Sequence, residues 1–384
     1  MRGFTRALAG VALVAATVTV SVSVAGAAPS ASGTAHRSAH ACAAATAGTA
    51  TCNALVRSDV KPSATTPSGY FPADLRSAYK LTSSGSAGQT IGIVDAFDAP
   101  TAEADLATYR SQFGLPACTT ANGCFRKVDQ NGGTHYPRRN TGWAQEISLD
   151  LDMVSAICPN CHILLVEAKT NSFTNLLAAE NRAATMGANV ISNSWGGSDA
   201  SDSTYGSAFN HPGIIITAST GDSGYGVQYP ASSQYVTAVG GTHLTVGGGT
   251  RGWTETAWSG AGSGCSTLNT PLPGQASVGT GCAKRAVADV SAVADPNTGV
   301  AVRYNGSWLV FGGTSVAAPL IAGVYGLAGN AATITNNFPY QHASSLFDVT
   351  SGSNGSCPTS QWCNARAGWD GPTGLGTPNG TGAF

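Results

Sequence analysis

A chain of 384 residues that is 42% hydrophobic and 10% charged, with 49 glycines, has the composition of a large globular domain and excludes a disordered or fibrous protein. Its 19 basic and 20 acidic residues leave a formal net charge of -1. That near-balance excludes the broad positive field of a nucleic-acid binder or of a protein held to an anionic membrane, so recognition must come from a local site.

At the N-terminus, Arg2 and Arg6 precede the apolar run Ala7 to Val20, and small residues follow at Ala25, Gly26 and Ala27. Residues 1–27 therefore read as a secretory signal. The apolar stretch is shorter than the roughly 20 residues a spanning helix needs, which disfavours the alternative of a membrane anchor. Residues 28–69 are rich in Ala, Ser, Thr and Pro without a periodic apolar pattern, and they read as a flexible N-terminal or short pro-segment. The folded domain is expected over 70–384.

Within it, strand and helix signals alternate. Thr90 to Val94 reads as a buried strand, Ala102 to Gln112 and Gln145 to Ala156 as helices, Ile163 to Val166 as a strand, and Leu176 to Met186 as a helix. Strands are expected again at Val190 to Ser194 and Ile214 to Ala218. After Gly240 the chain is rich in Gly, Ser and Thr, which predicts long loops and short strands up to Trp308 to Phe311. A helix then runs from about Ser315 to Leu327. The alternation predicts an α/β fold with a mostly parallel central sheet and helices on both faces.

The ten cysteines fall into sequence neighbours: Cys42 with Cys52, Cys118 with Cys124, Cys158 with Cys161, Cys265 with Cys282 and Cys357 with Cys363. Export and an even count favour local disulfides. A redox or zinc role for Cys158-Pro159-Asn160-Cys161 is the alternative, disfavoured because no second Cys-x-x-Cys or His pair completes a tetrahedral site.

Three motifs carry chemistry. Gly312-Gly313-Thr314-Ser315 sets a serine between a Gly-rich turn and a helix start, where orphan N–H groups favour a developing oxyanion; a plain helix cap is the bland alternative. Glu146 and Asp150 stand at i and i+4 on one helical face, crowded by Ile147, Leu149, Leu151 and Met153, although like charges at that spacing disfavour a helix. Ser219-Thr220-Gly221-Asp222-Ser223-Gly224 places an aspartate just past a predicted strand, where a simple turn would also explain it.

Gly313-Thr314-Ser315-x-x-x-Pro319 resembles the nucleophile motif shared by subtilisins and sedolisins, the serine-carboxyl peptidases. A subtilisin also needs a His-Gly-Thr-His-type motif after its first strand, and the chain has none. Glu146-x-x-x-Asp150 resembles instead the sedolisin pair, and Asp222 the sedolisin oxyanion aspartate. The resemblance implies a subtilisin-like fold and a secreted serine peptidase, with Ser315 as nucleophile, Glu146 as general base, Asp150 orienting it and Asp222 as oxyanion donor. A carboxyl group donates a hydrogen bond only when protonated, and a Glu base titrates lower than a His, so both residues imply an acidic optimum.

The same resemblance implies that Ser194-Trp195-Gly196 is the edge on which substrate lies as an added strand. It also implies a structural Ca²⁺ held by Asp348, Asp370 and the carbonyls of Val349, Arg366 and Gly368. Arg366 stands where the family has Gly, an awkward neighbour for a cation. Asp95 reads as structural or supporting, Asp152 has no role, and His135, His162, His211 and His243 read as surface residues. The expected partners are protein or peptide substrates, with no nucleic acid and no membrane, for an enzyme acting as a monomer. Two rivals stay open: a subtilisin-type peptidase using Asp95, a histidine such as His135, and Ser315; or a catalytically silent secreted binding protein on the same scaffold.

Overall fold

The computed structural model describes residues 36–384, so the expected signal at 1–27 lies outside the described residues. In chain order the first half carries β1 (Ser38–His40), β2 (Thr51–Cys52), β3 (Leu55–Arg57), α1 (Pro72–Ala78), β4 (Thr90–Ala96), α2 (Ala102–Gln112), β5 (Phe125–Asp129), α3 (Thr141–Ile157) and β6 (His162–Ala168). There follow α4 (Phe173–Thr185), β7 (Val190–Asn193), β8 (Trp195–Ser198), α5 (Asp202–Tyr205), β9 (Ile215–Ser219), β10 (Gln228–Tyr229), β11 (Thr237–Val246) and β12 (Trp253–Ala257). The last part holds β13 (Gly264–Cys265), α6 (Pro273–Ser277), β14 (Ala286–Val287), β15 (Val290–Val293), β16 (Val300–Tyr304), β17 (Ser307–Gly312) and α7 (Thr314–Ala328).

The central sheet runs β12-β11-β9-β7-β4-β6-β5, with β15 also on β11, and every pairing in it is parallel except β11 with β12. Its middle strands are near-continuous apolar runs because helices cover both faces. A Cβ on Gly92 would meet Ala183 of α4, whereas the neighbouring Ile91 packs on Gly326 of α7. Adjacent strand residues point to opposite faces, so α4 and α7 lie on opposite sides of the sheet. Helix α3 is buried along almost its whole length and packs against α7, with Gly323 seated on Ile157.

The chain leaves β4 for β5 and returns through β6, then crosses to β7 on the other side of β4. Strand order reverses there, and in an open α/β sheet that is where a crevice opens at the carboxyl ends of the strands. Asp95, Ser194 and Ser219 sit at or just beyond the carboxyl ends of β4, β7 and β9.

All five cysteine pairs form as expected between neighbours, Cys158 with Cys161 included. Residues 36–69, however, are not loose where they are described. Strands β1 and β3 join β17 and β16 in a four-stranded sheet, β2 adds to β8, and Cys42–Cys52 closes the loop between β1 and β2. Composition missed this because strands of two or three residues have no period of their own; they are ordered by partners far along the chain. The Gly-rich region after Gly240 likewise holds the ten-residue β11 alongside the expected short strands.

Candidate active site

Helix α3 starts where Asn140 caps it, its side chain accepting the Trp143 N–H at 3.1 Å. From there the helix carries Glu146 and Asp150 into the interior, both with no exposed surface. Helix α7 starts at Gly313, whose φ of +96° is unfavourable for other residues, and a Cβ there would lie 2.1 Å from the Asn53 carbonyl oxygen and 2.5 Å from Asp222 Oδ2. Glycine at 313 therefore brings three groups together: the α7 N-terminus, Asp222 and the Asn53 carbonyl.

Ser315, the second residue of α7, is fully buried, and its Oγ donates to the Ser194 carbonyl at 3.0 Å. Glu146 neighbours it, with both carboxyl oxygens buried and without a hydrogen-bond partner of good geometry. Asp150 accepts from Ser194 Oγ at 2.8 Å through Oδ1. No lysine or arginine is paired with Glu146, Asp150 or Asp95 among the described residues; Lys127 instead reaches Glu167, at 3.1 Å. Burial first, then the charges of Asp150 and Asp95, hold Glu146 well above the usual carboxylate range, and the Ser315 hydroxyl acts the other way. Burial and then Asp95 raise Asp150, while Ser194 opposes. Asp95, raised by burial and by Glu167, thus belongs to the same carboxyl row.

Asp222 accepts two hydrogen bonds at Oδ1, from Thr314 N–H at 2.7 Å and Thr314 Oγ1 at 2.8 Å, and its Oδ2 is buried without a partner. Burial pushes it up to about 7. A carboxyl group that keeps its proton below that pH can donate from Oδ2.

Residues 50–55 of the chain lie along this crevice. Thr51 pairs with Gly196 and Cys52 with Trp195 in antiparallel register. Asn53 N–H donates to the Ser194 carbonyl at 3.0 Å, and the Asn53 carbonyl accepts the Ser315 N–H at 3.0 Å. Asn171 clamps Ala50 through its own carbonyl, at 2.8 Å, and its Nδ2, at 2.7 Å. Ser194, Trp195 and Gly196 are thus a strand edge already carrying an added strand. The Trp195 side chain takes no part in that pairing; it is buried and donates Nε1–H to the Val94 carbonyl at 2.8 Å. A cavity of about 420 Å³ flanks the added strand, lined among others by Thr51, Gly196, Gly221, Tyr225 and Gln228.

His135 is exposed and His162, His211 and His243 are half-buried at the surface, the last pairing with Asp295 at 2.8 Å. None of the four contacts Ser315 or Asp95 through a hydrogen bond. Asp152 accepts the Arg303 N–H at 2.8 Å. Sequence reasoning missed Asn53, Ser219 and Gln228. Ser219 lay inside the Asp222 motif, but nothing in the local sequence marks Gln228 or Asn53.

Near the C-terminus, Asp348 accepts the Gly368 N–H at 2.8 Å and Asp370 accepts the Arg366 N–H at 3.0 Å. Burial, with the Asp348 charge adding to it, raises Asp370 to about 7. The carbonyls of Val349, Arg366 and Gly368 accept no hydrogen bond from the backbone. The Arg366 guanidinium turns away to Gln361 Oε1 at 2.9 Å, which removes the conflict expected from its charge. Among the described residues no three His, Cys, Asp or Glu side chains converge to hold a metal, so an ion here would rest on two carboxylates and backbone carbonyls. That oxygen-only set fits Ca²⁺.

A doubly wound α/β sheet with a serine at a helix start, a strand edge holding an extended segment, and carboxylates where a histidine would otherwise stand defines a subtilisin-like hydrolase scaffold of the serine-carboxyl kind. Residues 130–344 match the model of the Subtilase family. The chain belongs to the subtilase family, in its sedolisin branch. It is 31% identical over 359 residues to Kumamolisin of Bacillus sp. (strain MN-32), a match over 82% of this chain and 63% of that protein. To Sedolisin of Pseudomonas sp. (strain 101) it is 26% identical, over 81% of this chain and 60% of that protein. The chain therefore spans less than two thirds of the length of these curated relatives. A solved structure of Pseudomonas sedolisin, a serine-carboxyl proteinase complexed with two molecules of pseudo-iodotyrostatin, superposes with a TM-score of 0.70 at 26% identity, covering 82% of this chain and 96% of that one.

Proposed function

We propose that this chain is a secreted serine-carboxyl endopeptidase that hydrolyses peptide bonds in protein or peptide substrates at acidic pH. The observation that carries this reading is the segment in the crevice. Asn53 accepts the N–H of Ser315 at its carbonyl and donates its own N–H to the Ser194 carbonyl, and a Cβ on Gly313 would meet both the Asn53 carbonyl and the unpartnered Oδ2 of Asp222. That is how an extended substrate adds to a strand edge.

In the proposed reaction Ser315 Oγ attacks the carbonyl carbon of the bound peptide and its proton passes to Glu146. Asp150, held by Ser194, keeps the Glu146 carboxyl in place and balances its charge. The oxygen that becomes negative is met by the Ser315 N–H and by protonated Asp222. The C–N bond breaks as Glu146 returns the proton to the leaving nitrogen. Water, activated by Glu146, then attacks the acyl-serine carbon, and Ser315 recovers its proton as the carboxylic acid leaves.

Deprotonated Glu146 and protonated Asp222 must coexist. Activity is therefore present below the Asp222 value of about 7 and lost as pH rises through it. It is lost again on the acid side as the Glu146 and Asp150 pair takes up its last proton, a limb that burial and like charge move upward. Endopeptidase action is supported by the segment running on past Asn53 in both directions, into β2 on one side and β3 on the other. Secretion is supported by the 1–27 leader and by five disulfides, which persist in oxidising compartments. No helix among the described residues is long and apolar enough to cross a membrane. Bound Ca²⁺ would tie the C-terminal loop together structurally through Asp348, Asp370 and the carbonyls of Val349, Arg366 and Gly368; it takes no part in the chemistry.

A peptide-library digest with wild type, Ser315→Ala and Glu146→Gln tests the reading. Wild type alone should cleave, and best in acid. Hydrolysis that survives in either variant refutes these roles.

A further inference from the structure

Asn53 is 2% exposed, and its carbonyl accepts the Ser315 N–H at 3.0 Å. Its Nδ2 donates to Ser219 Oγ at 2.8 Å and to Gln228 Oε1 at 3.2 Å. Ser219 is fully buried at the end of β9 and has no other hydrogen-bonded side-chain partner among the described residues. Gln228 reaches in from β10, its amide lying in a slot between two glycines. A Cβ on Gly196 would come 2.3 Å from Gln228 Oε1, and one on Gly221 would come 2.8 Å from Gln228 Cδ. The pocket is thus walled by backbone and ends in two hydrogen-bonding groups facing one amide.

We propose that this pocket selects asparagine as the residue whose carbonyl is attacked, with Ser219 and Gln228 as the specificity-determining residues, and that the chain's own Asn53–Ala54 bond is its first substrate. The proposal rests on the peptidase reading above. Leucine has nearly the shape of asparagine, but it would leave the fully buried Ser219 Oγ without a partner and take from the half-buried Gln228 Oε1 its amide donor. Aspartate would bring a further carboxylate beside Asp222, Glu146 and Asp150, which already lack cations. Glutamine is one methylene too long for a pocket that Asn53 already fills.

Cleavage at Asn53 follows the same balanced steps. Ser315 Oγ bonds to the Asn53 carbonyl carbon, the bond to the Ala54 nitrogen breaks, and that nitrogen takes the proton from Glu146. Water then releases Asn53 as a carboxylic acid. Cys42–Cys52 lies wholly upstream of the cut and so leaves no covalent tie between the two pieces. Ala54 becomes the new N-terminus, and the strand edge at Ser194 to Gly196 is freed for other chains.

The test begins with the full chain purified near neutrality and shifted to about pH 4. Intact mass and N-terminal sequencing should show a first cut that exposes Ala54 in wild type, slowed in Asn53→Leu and absent in Ser315→Ala. The processed enzyme is then given peptides Ala-Thr-Ser-Xaa-Ala-Leu-Val-Arg with Xaa as Asn, Gln, Asp, Leu or Ala. Asn should exceed Leu and Ala by about 100-fold in kcat/KM, and Gln228→Leu should cut the Asn-to-Leu ratio by about tenfold. A first cut at another bond, or Leu cleaved as well as Asn, overturns the pocket assignment while leaving the peptidase standing. No hydrolysis of any peptide between about pH 3 and pH 8 overturns the peptidase reading itself, and the pocket with it.

Discussion

Asp289 and the pair Glu146 and Asp150 are equally buried, yet their neighbours treat them in opposite ways. Asp289 is gripped by the fork of Arg285, with Nη1 at 2.8 Å from Oδ1, and receives Tyr340 Oη at 2.6 Å and Ala238 N–H at 2.7 Å. Every oxygen has a donor and the charge has its counter-ion. Glu146, Asp150, Asp95 and Asp222 include oxygens with no partner and no cation at all. A folded protein satisfies its buried polar groups unless something is gained by leaving them poised. Asp289 holds the loop before β15 in place, whereas the Glu146 row is left without counter-ions, as the proposed proton transfer requires.

The sharpest way to break that contrast is to neutralise one member of each cluster. Glu146→Gln should lower kcat by roughly 10⁴-fold or more, as expected when a nucleophile loses its base, with little change in melting temperature. Asp289→Ala should do the reverse. Leaving Arg285 buried without its partner should cost about 3–5 kcal/mol of stability in denaturant titration, while turnover per folded molecule is unchanged. If Glu146→Gln mainly unfolds the protein, its carboxylate is structural and the contrast collapses.

Asp222→Ala should cost about 10²–10³ in kcat, the usual loss for one oxyanion donor, with KM nearly constant. A smaller effect comes from linkage. Burial raises Asp222 to about 7 and Glu167 and Glu180 to about 8, against unfolded values near 4. Raised acids favour the folded state when protonated. Their contribution is therefore whole below about pH 4, is lost as pH rises through 7 to 8, and is flat above. Melting temperature should fall over that window in the Ser315→Ala variant, where self-cleavage does not interfere. The smallest effect concerns the C-terminal loop: chelation should lower the melting temperature by a few degrees, Ca²⁺ should restore it, and Asp348→Asn should abolish the response.

The two clusters also differ in how far they can be read from sequence. Glu146-x-x-x-Asp150, Asp222 and Ser315 stood out in sequence as like charges on one apolar helical face, an aspartate after a strand and a serine after paired glycines, and it was the resemblance to sedolisins that gave them roles. The helix Ala102–Gln112 came out at its full extent, and the parallel core followed from strand and helix alternation. Asn53, Ser219 and Gln228 were not legible as a set. They meet only when β2, β9 and β10 converge, with more than a hundred residues separating the first from the others, and β2 is two residues long. Low apolar periodicity in 36–69 suggested a loose segment because its partners, Gly196, Trp195 and Ser315, are supplied by the rest of the fold.

The most direct measurement is kcat/KM against pH for wild type and Asp222→Asn on one asparagine-containing peptide. A protonated Asp222 as oxyanion donor requires an acidic optimum with activity falling as pH rises through about 7, and a limb displaced upward in Asp222→Asn, whose amide donates at any pH. A wild-type profile peaking at or above neutrality, or an alkaline limb that stays in place in the variant, would contradict it.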